Sequence, residues 1–377
     1  MIQKTAMSTA QRLPASLTAL DTALSALLDG LEPVAATGLP LREALGCVTA
    51  DMAPIGAYPS RNIAHADGWA LRASDLVSAF AYAPVPLTKA AQWVEAGDPI
   101  PNDCDCVIDA DGIDQSGPIP EVVTEAPPGH GVRRRASDFP DGFTIAPGRP
   151  LRPPDILFAR APGLEKLKVR RPRLRVVNVP AANGETGTAQ LIYEVAQSAG
   201  TEVTFVEAGS RDAASITAEL ETTACDLLIT IGGTGVGHTD ASVLAIGQRG
   251  DVFAHGLALR PGGTSAVGKI GSIPLIALSG SAADAMAAWW TIGLPVLDRL
   301  SGRQPRATTT LPLARKLASN VGIAEIALLE RDGDSWHPLA LGDLPFQAII
   351  KADAWLAIPG NSEGFAAGTP VSAYMPG

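Results

Sequence analysis

From residue 174 onwards the sequence alternates between short β-branched runs and segments with helical spacing. Strand patterns separated by helical patterns occur at residues 174–179, 188–199, 202–206, 213–224 and 227–231. Such alternation predicts right-handed βαβ units around a mostly parallel sheet. Ligands of these sheets bind outside the carboxyl ends of the strands, so the pattern also predicts where a site lies.

The third strand pattern runs into four glycines between Gly232 and Gly237, and Asp240 follows them. Glycines let backbone N–H groups approach a phosphate or another oxyanion, which predicts an anion-holding loop after a buried strand. A glycine turn that only reverses the chain is the alternative that the spacing leaves open. The dinucleotide-binding fingerprint does not apply, because His238 stands where its third glycine would be.

A second loop of the same region joins a buried strand pattern at residues 273–278 to a helical pattern at residues 282–300. Ser279 or Ser281 is available as the residue that caps this helix. The free N–H groups of a helix start attract anions, so either a phosphate site or a simple capped helix is predicted. We expect the loops at Gly232 and Gly280 to border one site.

The rest of the chain shows other secondary-structure patterns. Short β-like runs separated by proline and glycine between residues 52 and 124 predict a small β-barrel. A second small β domain is predicted from residue 308 onwards. Residues 16–30 predict a helix, since leucines recur at helical intervals before Gly30. The basic run at residues 166–173 predicts a charged connector.

Composition narrows the class of protein. A chain of 377 residues predicts two to four domains. A net charge of −10 argues against non-specific nucleic-acid binding. No segment reaches the roughly 18 apolar residues of a membrane span, and residues 1–15 lack a signal-peptide pattern. Four scattered cysteines predict a reducing, cytoplasmic location, with Cys104 and Cys106 buried rather than metal-bound.

Two further motifs have simpler interpretations. Residues 263–270 approach the P-loop of nucleoside triphosphatases, but Ile270 replaces the hydroxyl residue that holds magnesium, and a new strand pattern follows. Nucleoside triphosphatase activity is therefore not predicted. Asp67 stands before a glycine, which by itself indicates a turn.

Five motifs in one order carry a family resemblance. They occupy residues 59–70, 96–108, 131–138, 232–240 and 260–280. This order resembles the MoeA proteins and the gephyrin E domain, which are molybdopterin molybdenumtransferases. The resemblance implies a multidomain α/β plus β fold and an elongated homodimer. It implies these domains: a linker domain at 1–50 and 136–172, an inserted β-barrel domain at 51–135, a three-layer molybdopterin-binding α/β domain with a parallel-rich sheet at 173–305, and a C-terminal β-barrel-like domain at 306–377.

The resemblance also implies a reaction and its residues. Molybdate and adenylylated molybdopterin, with Mg²⁺, yield molybdenum cofactor and AMP. Asp67, Asp212 and Asp240 match the catalytic aspartates of the family, and Asp212 and Asp240 are expected to hold the metal. The residues expected to bind the pterin substrate are Gly232, Gly233, Thr234, Gly235, Gly237, Arg260, Ser279, Gly280 and Ser281.

The chain departs from the family pattern at several charged or oxyanion-binding positions. Neutral Ala96 and Gly263 stand at two of them, Leu278-Ser-Gly-Ser replaces a Leu-Pro-Gly-Asn motif, and the loop that contains Glu185 is shortened. Losing several charged contacts to an oxyanion can abolish turnover while the fold stays intact. A non-catalytic molybdopterin-binding protein, serving other biosynthetic proteins or one molybdoenzyme, is therefore the alternative to the enzyme.

Overall fold

The computed structural model describes residues 11–14, 16–181 and 187–375. The chain forms two compact units. The main unit comprises Met1–Asp51, Pro147–Pro153 and Lys166–Gly377, and the inserted unit comprises Met52–Ala146 and Pro154–Glu165. Among the helices of the described residues, none is both long and apolar enough to cross a bilayer. The four-domain division stays a prediction.

The first part of the chain contains mostly short strands. Its helices and strands are α1 Leu20–Leu28, β1 Thr37–Pro40, β2 Val48–Thr49, β3 Ile63–Ala64, β4 Gly68–Leu71, β5 Val85–Pro86, β6 Gln92–Val94, β7 Cys106–Ile108, β8 Ile113–Asp114, β9 Glu121–Val122, β10 Val132–Arg133, α2 Pro153–Arg160 and β11 Lys166–Arg170. Helix α1 buries Ala23 and Leu27, one turn apart, in the core of the main unit.

The prediction of a charged connector at residues 166–173 is wrong. Strand β11 lies between β1 and β2 and pairs antiparallel with both. Leu167 and Val169 are buried, and the alternate residues of the strand are not. Lys166, Lys168 and Arg170 therefore occupy its outward face. The period-two pattern was present in the sequence, but the charges obscured it.

The inserted unit contains no closed barrel among its described residues, which corrects the β-barrel prediction for residues 51–135. Its strands form three small sheets, with the orders β6-β4-β7, β5-β9-β8 and β10-β3. Each strand is only two to four residues long. Strands this short, interrupted by proline and glycine, cannot continue a hydrogen-bonded ladder around a closed ring.

The α/β region follows the predicted alternation. It contains β12 Arg173–Asn178, α3 Gly187–Ser198, β13 Glu202–Glu207, α4 Ala213–Glu219, β14 Leu227–Ile231, α5 Ser242–Arg249, β15 Asp251–His255, β16 Leu259–Arg260, β17 Ala266–Ile270, β18 Ile273–Leu278, α6 Ala282–Ala288 and α7 Leu294–Ser301. The sheet order is β13-β12-β14-β18-β17-β15. The first four strands are parallel, and β17 pairs antiparallel with both β18 and β15, so the sheet is mixed.

The last part of the chain forms a second six-stranded sheet. This part of the chain contains β19 Thr308–Pro312, β20 Leu317–Ala318, β21 Ala324–Asp332, β22 Ser335–Leu341, α8 Phe346–Lys351, β23 Ala354–Ile358, β24 Gly364–Phe365 and β25 Pro370–Tyr374. The order is β16-β21-β23-β25-β19, and β22 pairs with β21. The described strands leave this sheet open, which corrects the barrel-like prediction for residues 306–377.

Candidate functional site

A cavity of about 920 Å³ lies in the main unit where β12, β14 and β18 end. Parallel strands bring their carboxyl ends to one edge, so the loops that follow them meet there. The described residues that line the cavity are Val179, Ala181, Gly187, Thr188, Ala189, Leu191, Arg211, Ile231, Gly232, Gly233, Thr234, Gly235, Asp240, Thr264, Ser279, Gly280, Ser281, Ala282 and Phe346. The prediction that the loops at Gly232 and Gly280 border one site agrees with this geometry.

The glycine loop after β14 needs its first two glycines. Gly232 and Gly233 have φ angles of +95° and +66°, in the left-handed region where side chains are disfavoured. A Cβ on Gly232 would lie 3.0 Å from the carbonyl oxygen of Val179, and one on Gly233 would lie 2.6 Å from Oγ of Ser242. The sequence therefore allows the loop to pack closely against its neighbours.

Two buried side chains hold the carbonyl groups of this loop. The hydroxyl of Ser242 donates to the carbonyl oxygen of Gly232 at 2.6 Å. The amide of Gln11 donates to the carbonyl oxygens of Gly233 at 3.3 Å and Gly235 at 2.7 Å. Gln11 is 4% exposed, and its side-chain oxygen accepts from the N–H of a residue in α5 at 3.0 Å. The amino-terminal segment is thus part of the loop's support.

A histidine completes this support. Nε2 of His255 lies 2.9 Å from the carbonyl oxygen of Thr234 and therefore donates to it. All four carbonyl groups from Gly232 to Gly235 now have donors. The N–H groups of Gly233, Thr234 and Gly235 donate to no acceptor within the described part of the chain. Three backbone donors beside the cavity are thus available to an oxyanion.

Asp240 lies beside an arginine that sequence analysis missed. Nη2 of Arg211 donates to Oδ1 of Asp240 at 2.7 Å, and the N–H of Gly237 donates to Oδ2 at 2.9 Å. Arg211 also donates to the carbonyl oxygen of Pro180 at 2.8 Å and to the hydroxyl of Thr239 at 3.1 Å. Its position in the loop after β13, beside the predicted Asp212, was the only available signal.

Asp212 occupies a different kind of position. It is the N-cap of α4, where Oδ1 accepts from the N–H of Ser215 at 2.9 Å and Oδ2 accepts from the Ser215 hydroxyl at 2.9 Å. Hydrogen bonds from the Ser210 hydroxyl and then from Ser215 lower the pKa of Asp212 to about 2. Asp212 is not among the residues that line the cavity.

The second predicted anion loop lines the cavity as expected. The Ser279 hydroxyl accepts from the N–H of Ser281 at 3.1 Å. The hydroxyl of Thr188, in the first turn of α3, donates to the carbonyl oxygen of Gly280 at 2.7 Å. These short polar side chains place α3 and the start of α6 on the same side of the site.

Three other predicted residues lie outside the cavity lining. Gly237 supports Asp240 from the far part of the loop. Nη1 of Arg260 lies 3.5 Å from Oε1 of buried Glu325. Asp67 belongs to the inserted unit, where it accepts from the N–H of Ala96 at 2.8 Å. Glu185 lies outside the described residues.

The described residues do not form a ready magnesium site. No group of three or more histidine, cysteine, aspartate or glutamate side chains could hold an ion within the described ranges. Asp240 already accepts from Arg211 and Gly237, and both oxygens of Asp212 are used in capping α4. Arg211 would also repel a cation at Asp240. The expectation that these two aspartates hold the metal stays a prediction.

Two family models match this chain in order. The first, described as "MoeA N-terminal region (domain I and II)", matches residues 18–163. The second, described as "Probable molybdopterin binding domain", matches residues 181–299, which include the glycine loop and Arg211.

Similar proteins carry matching names. Molybdopterin molybdenumtransferase 2 of Mycobacterium tuberculosis is 26% identical over 89% of this chain and 94% of its own length. The molybdopterin molybdenumtransferase of Synechococcus elongatus is 24% identical over 90% of this chain and 94% of its own. The crystal structure of the molybdopterin biosynthesis MoeA protein of Pyrococcus horikoshii, 22% identical, covers 96% of this chain and 100% of its own with a TM-score of 0.66. The fold is therefore that of the MoeA proteins.

Proposed function

We propose, because the chain belongs to the MoeA family, that it is a molybdopterin molybdenumtransferase of molybdenum cofactor biosynthesis. It inserts molybdate into adenylylated molybdopterin and releases AMP. The observation that carries the proposal is the glycine loop, whose carbonyl groups are bonded and whose three free N–H groups stand beside a cavity of about 920 Å³. A cavity of this volume accommodates a pterin nucleotide.

Different residues of the site bind the substrate and stabilise the leaving group. The N–H groups of Gly233, Thr234 and Gly235 hold a phosphate oxygen of the substrate, since fixed backbone dipoles stabilise oxyanions without reorganising. The loop from Ser279 to Ser281, which lies next to the glycine loop, helps to hold the pterin phosphate. An oxygen of molybdate or water attacks the phosphoanhydride, the bond to the phosphate of AMP breaks, and Arg211 offsets the negative charge that develops on the departing AMP phosphate.

The backbone donors compensate for the charged positions at which this chain departs from the family pattern. Among the described lining residues, Arg211 and Asp240 are the charged pair, and no lysine is present. Asp240 holds the guanidinium of Arg211 in place. The family resemblance implies a catalytic role for Asp240 and, separately, for Asp67 of the inserted unit. Mg²⁺ belongs to the reaction that the family resemblance implies, and no step here is assigned to it. We also infer a homodimer from the family resemblance and a cytoplasmic location from the cysteine usage.

The test is AMP release by the purified protein with adenylylated molybdopterin, molybdate and Mg²⁺. We expect turnover by the unchanged protein and a loss of about a hundredfold or more for Arg211→Met, since removing one donor to a developing oxyanion costs that much in known sites. Arg331→Met is the matched control, because Arg331 is exposed and bonds the carbonyl oxygen of Gly333. We expect it to leave the rate unchanged.

The same assay separates the two functions that the sequence leaves open. The names of the relatives favour the enzyme. A protein that retains the pterin in equal amount but releases no AMP, while another family member works in parallel, would overturn the proposed activity and support the binding protein. Failure to retain any pterin would exclude both.

A further inference from the structure

A second cavity of about 380 Å³ lies in the main unit and shares no described lining residue with the first. Its described lining combines apolar side chains with two arginines. The residues that give it this character are Met286, Trp289, Trp290, Leu294, Arg303 and Arg306. Nothing in the proposed reaction uses it.

Two tryptophans form the aromatic part of the lining. Trp289 and Trp290 are 2% and 6% exposed. The ring of Trp290 stacks on that of Trp355 with centroids 5.3 Å apart and an angle of 6°, and Trp355 stacks on Tyr374 at 4.8 Å. Stacking on Trp355 holds the Trp290 ring in place, so this aromatic part of the lining is preorganised for a planar or branched apolar group.

The two arginines of the lining carry two positive charges but share one carboxylate. Arg306 donates to both oxygens of Asp298, at 2.7 and 2.8 Å. Nε of Arg303 lies 4.0 Å from Oδ1 of the same carboxylate. Two guanidinium groups therefore share one carboxylate, and no aspartate or glutamate is among the described residues that line the cavity. Burial, and then the charge of Arg306, lower the pKa of Arg303.

A partly buried guanidinium without a full counter-charge is unfavourable, and an anion beside it restores the balance. We propose that this cavity binds a small organic anion whose aromatic or branched apolar body lies against Trp289 and Trp290 and whose acidic group pairs with Arg303. The volume lies within the range of small-molecule sites. The proposal is independent of the molybdenumtransferase activity, because it uses none of the residues assigned to that reaction.

Two fluorescent probes of nearly the same shape test it. Anilinonaphthalene sulfonate is an aromatic anion, and phenylnaphthylamine is its neutral counterpart. We expect the intact protein to bind the sulfonate at one site. Arg303→Met should weaken that binding by about tenfold or more, since a charged hydrogen bond is lost, and leave the neutral probe within about twofold. Arg331→Met is the control for a general change of charge.

For a second variant we expect the opposite change in affinity for the sulfonate probe. Asp298→Asn removes the shared carboxylate and raises the positive charge at the cavity, so it should tighten binding of the sulfonate and not of the neutral probe. Absence of sulfonate binding by the intact protein, as when a second copy covers the cavity, would overturn the proposal. Equal weakening of both probes by Arg303→Met, or no effect of either substitution, would overturn it as well.

Discussion

Gln11 makes the most consequential contact that a single residue adds to the site. It is buried, and it bonds two carbonyl groups of the glycine loop and one N–H of α5. Gln11→Leu keeps the volume of the side chain and removes all three bonds. The carbonyl oxygen of Gly235 and the N–H of Val243 then have no partner among the described residues, whereas the carbonyl oxygen of Gly233 still accepts from the N–H of Ser242. Each unsatisfied buried group costs about 1 to 3 kcal/mol, so the loop should lose its conformation before the unit unfolds.

The expected result is a loss of AMP release of about tenfold or more, with a smaller fall in the urea midpoint of unfolding. Gln197→Leu is the matched control, because Gln197 is exposed and bonds only the nearby hydroxyl of Tyr193 at 3.4 Å. A normal rate for Gln11→Leu would show that Ser242 and His255 hold the loop by themselves.

Asp212 leads to a prediction about pH. Its pKa is lowered from 3.8 to about 2 by Ser210 and Ser215, so the ionised carboxylate is favoured in the folded protein. A lowered pKa stabilises the fold at pH values above the ordinary pKa, and this contribution is lost as the pH falls towards the folded value. Asp212→Asn keeps a capping oxygen but cannot ionise. Its free energy of unfolding should fall below that of the unchanged protein at neutral pH.

The difference between these two proteins should shrink as the pH falls from about 4 to about 2. Urea unfolding at a series of pH values measures it, and the same substitution at exposed Asp343 is the control. A difference that is independent of pH in this window would contradict the capping role. If turnover disappears while stability barely changes, Asp212 has the catalytic role that the family resemblance implies.

Among elements, the glycine loop is the one whose backbone geometry the site depends on. Gly233 has a φ of +66°, and an added Cβ would lie 2.6 Å from Oγ of Ser242, which would then leave the carbonyl oxygen of Gly232. Gly271, in the turn between β17 and β18, has a φ of +60° and open space where a Cβ would lie. The two positions therefore share a backbone conformation and differ in what surrounds them.

Gly271→Ala should cost about 1 to 2 kcal/mol of unfolding free energy, which is the ordinary penalty of a left-handed alanine, and leave AMP release unchanged. Gly233→Ala should cost more and abolish AMP release, because the added Cβ displaces the loop that carries the three N–H groups. Chemical denaturation and the AMP assay measure both effects. Equal costs and equal rates would mean that the close contact with Ser242 is relieved without disturbing the loop.

The elements that sequence analysis predicted are those with a local pattern. Strand β14 and helix α3 lie where the apolar runs place them, because a buried parallel strand and an amphipathic helix are each visible within one window. Strand β15 was missed, since three of its five residues are exposed and it follows directly on a helix. The contact between Gln11 and Gly235 joins residues more than 200 positions apart, and no pattern in either segment indicates it.

For the whole molecule, the two compact units lead to a prediction about independence. The core of the main unit is formed by residues of α1, the α/β sheet, α6, α7 and the C-terminal sheet, and it includes no residue of the inserted unit. The two ends of the longer insertion are close together, since Thr49 accepts from the N–H of Gly148 at 2.8 Å. Replacing residues 52–146 and 154–165 with short flexible linkers should therefore leave a folded main unit.

The shortened chain separates binding from catalysis. The cavity, the glycine loop, Arg211 and Asp240 all belong to the main unit, whereas Asp67 belongs to the inserted unit. We expect the shortened chain to unfold cooperatively and to retain the adenylylated pterin in a filtration assay. We also expect it to release no AMP, because the proposed contribution of Asp67 is removed.

Asp67→Ala in the full-length chain is the necessary companion, since it removes the carboxylate and leaves the inserted unit in place. Asp67 holds only the turn at Ala96 within the described contacts, so this substitution should not unfold the unit. If Asp67→Ala releases AMP normally while the shortened chain does not, another residue of the inserted unit supplies the function. If the shortened chain also turns over, the reaction is complete within the main unit, and the departures from the family motifs around Ala96 have no bearing on activity.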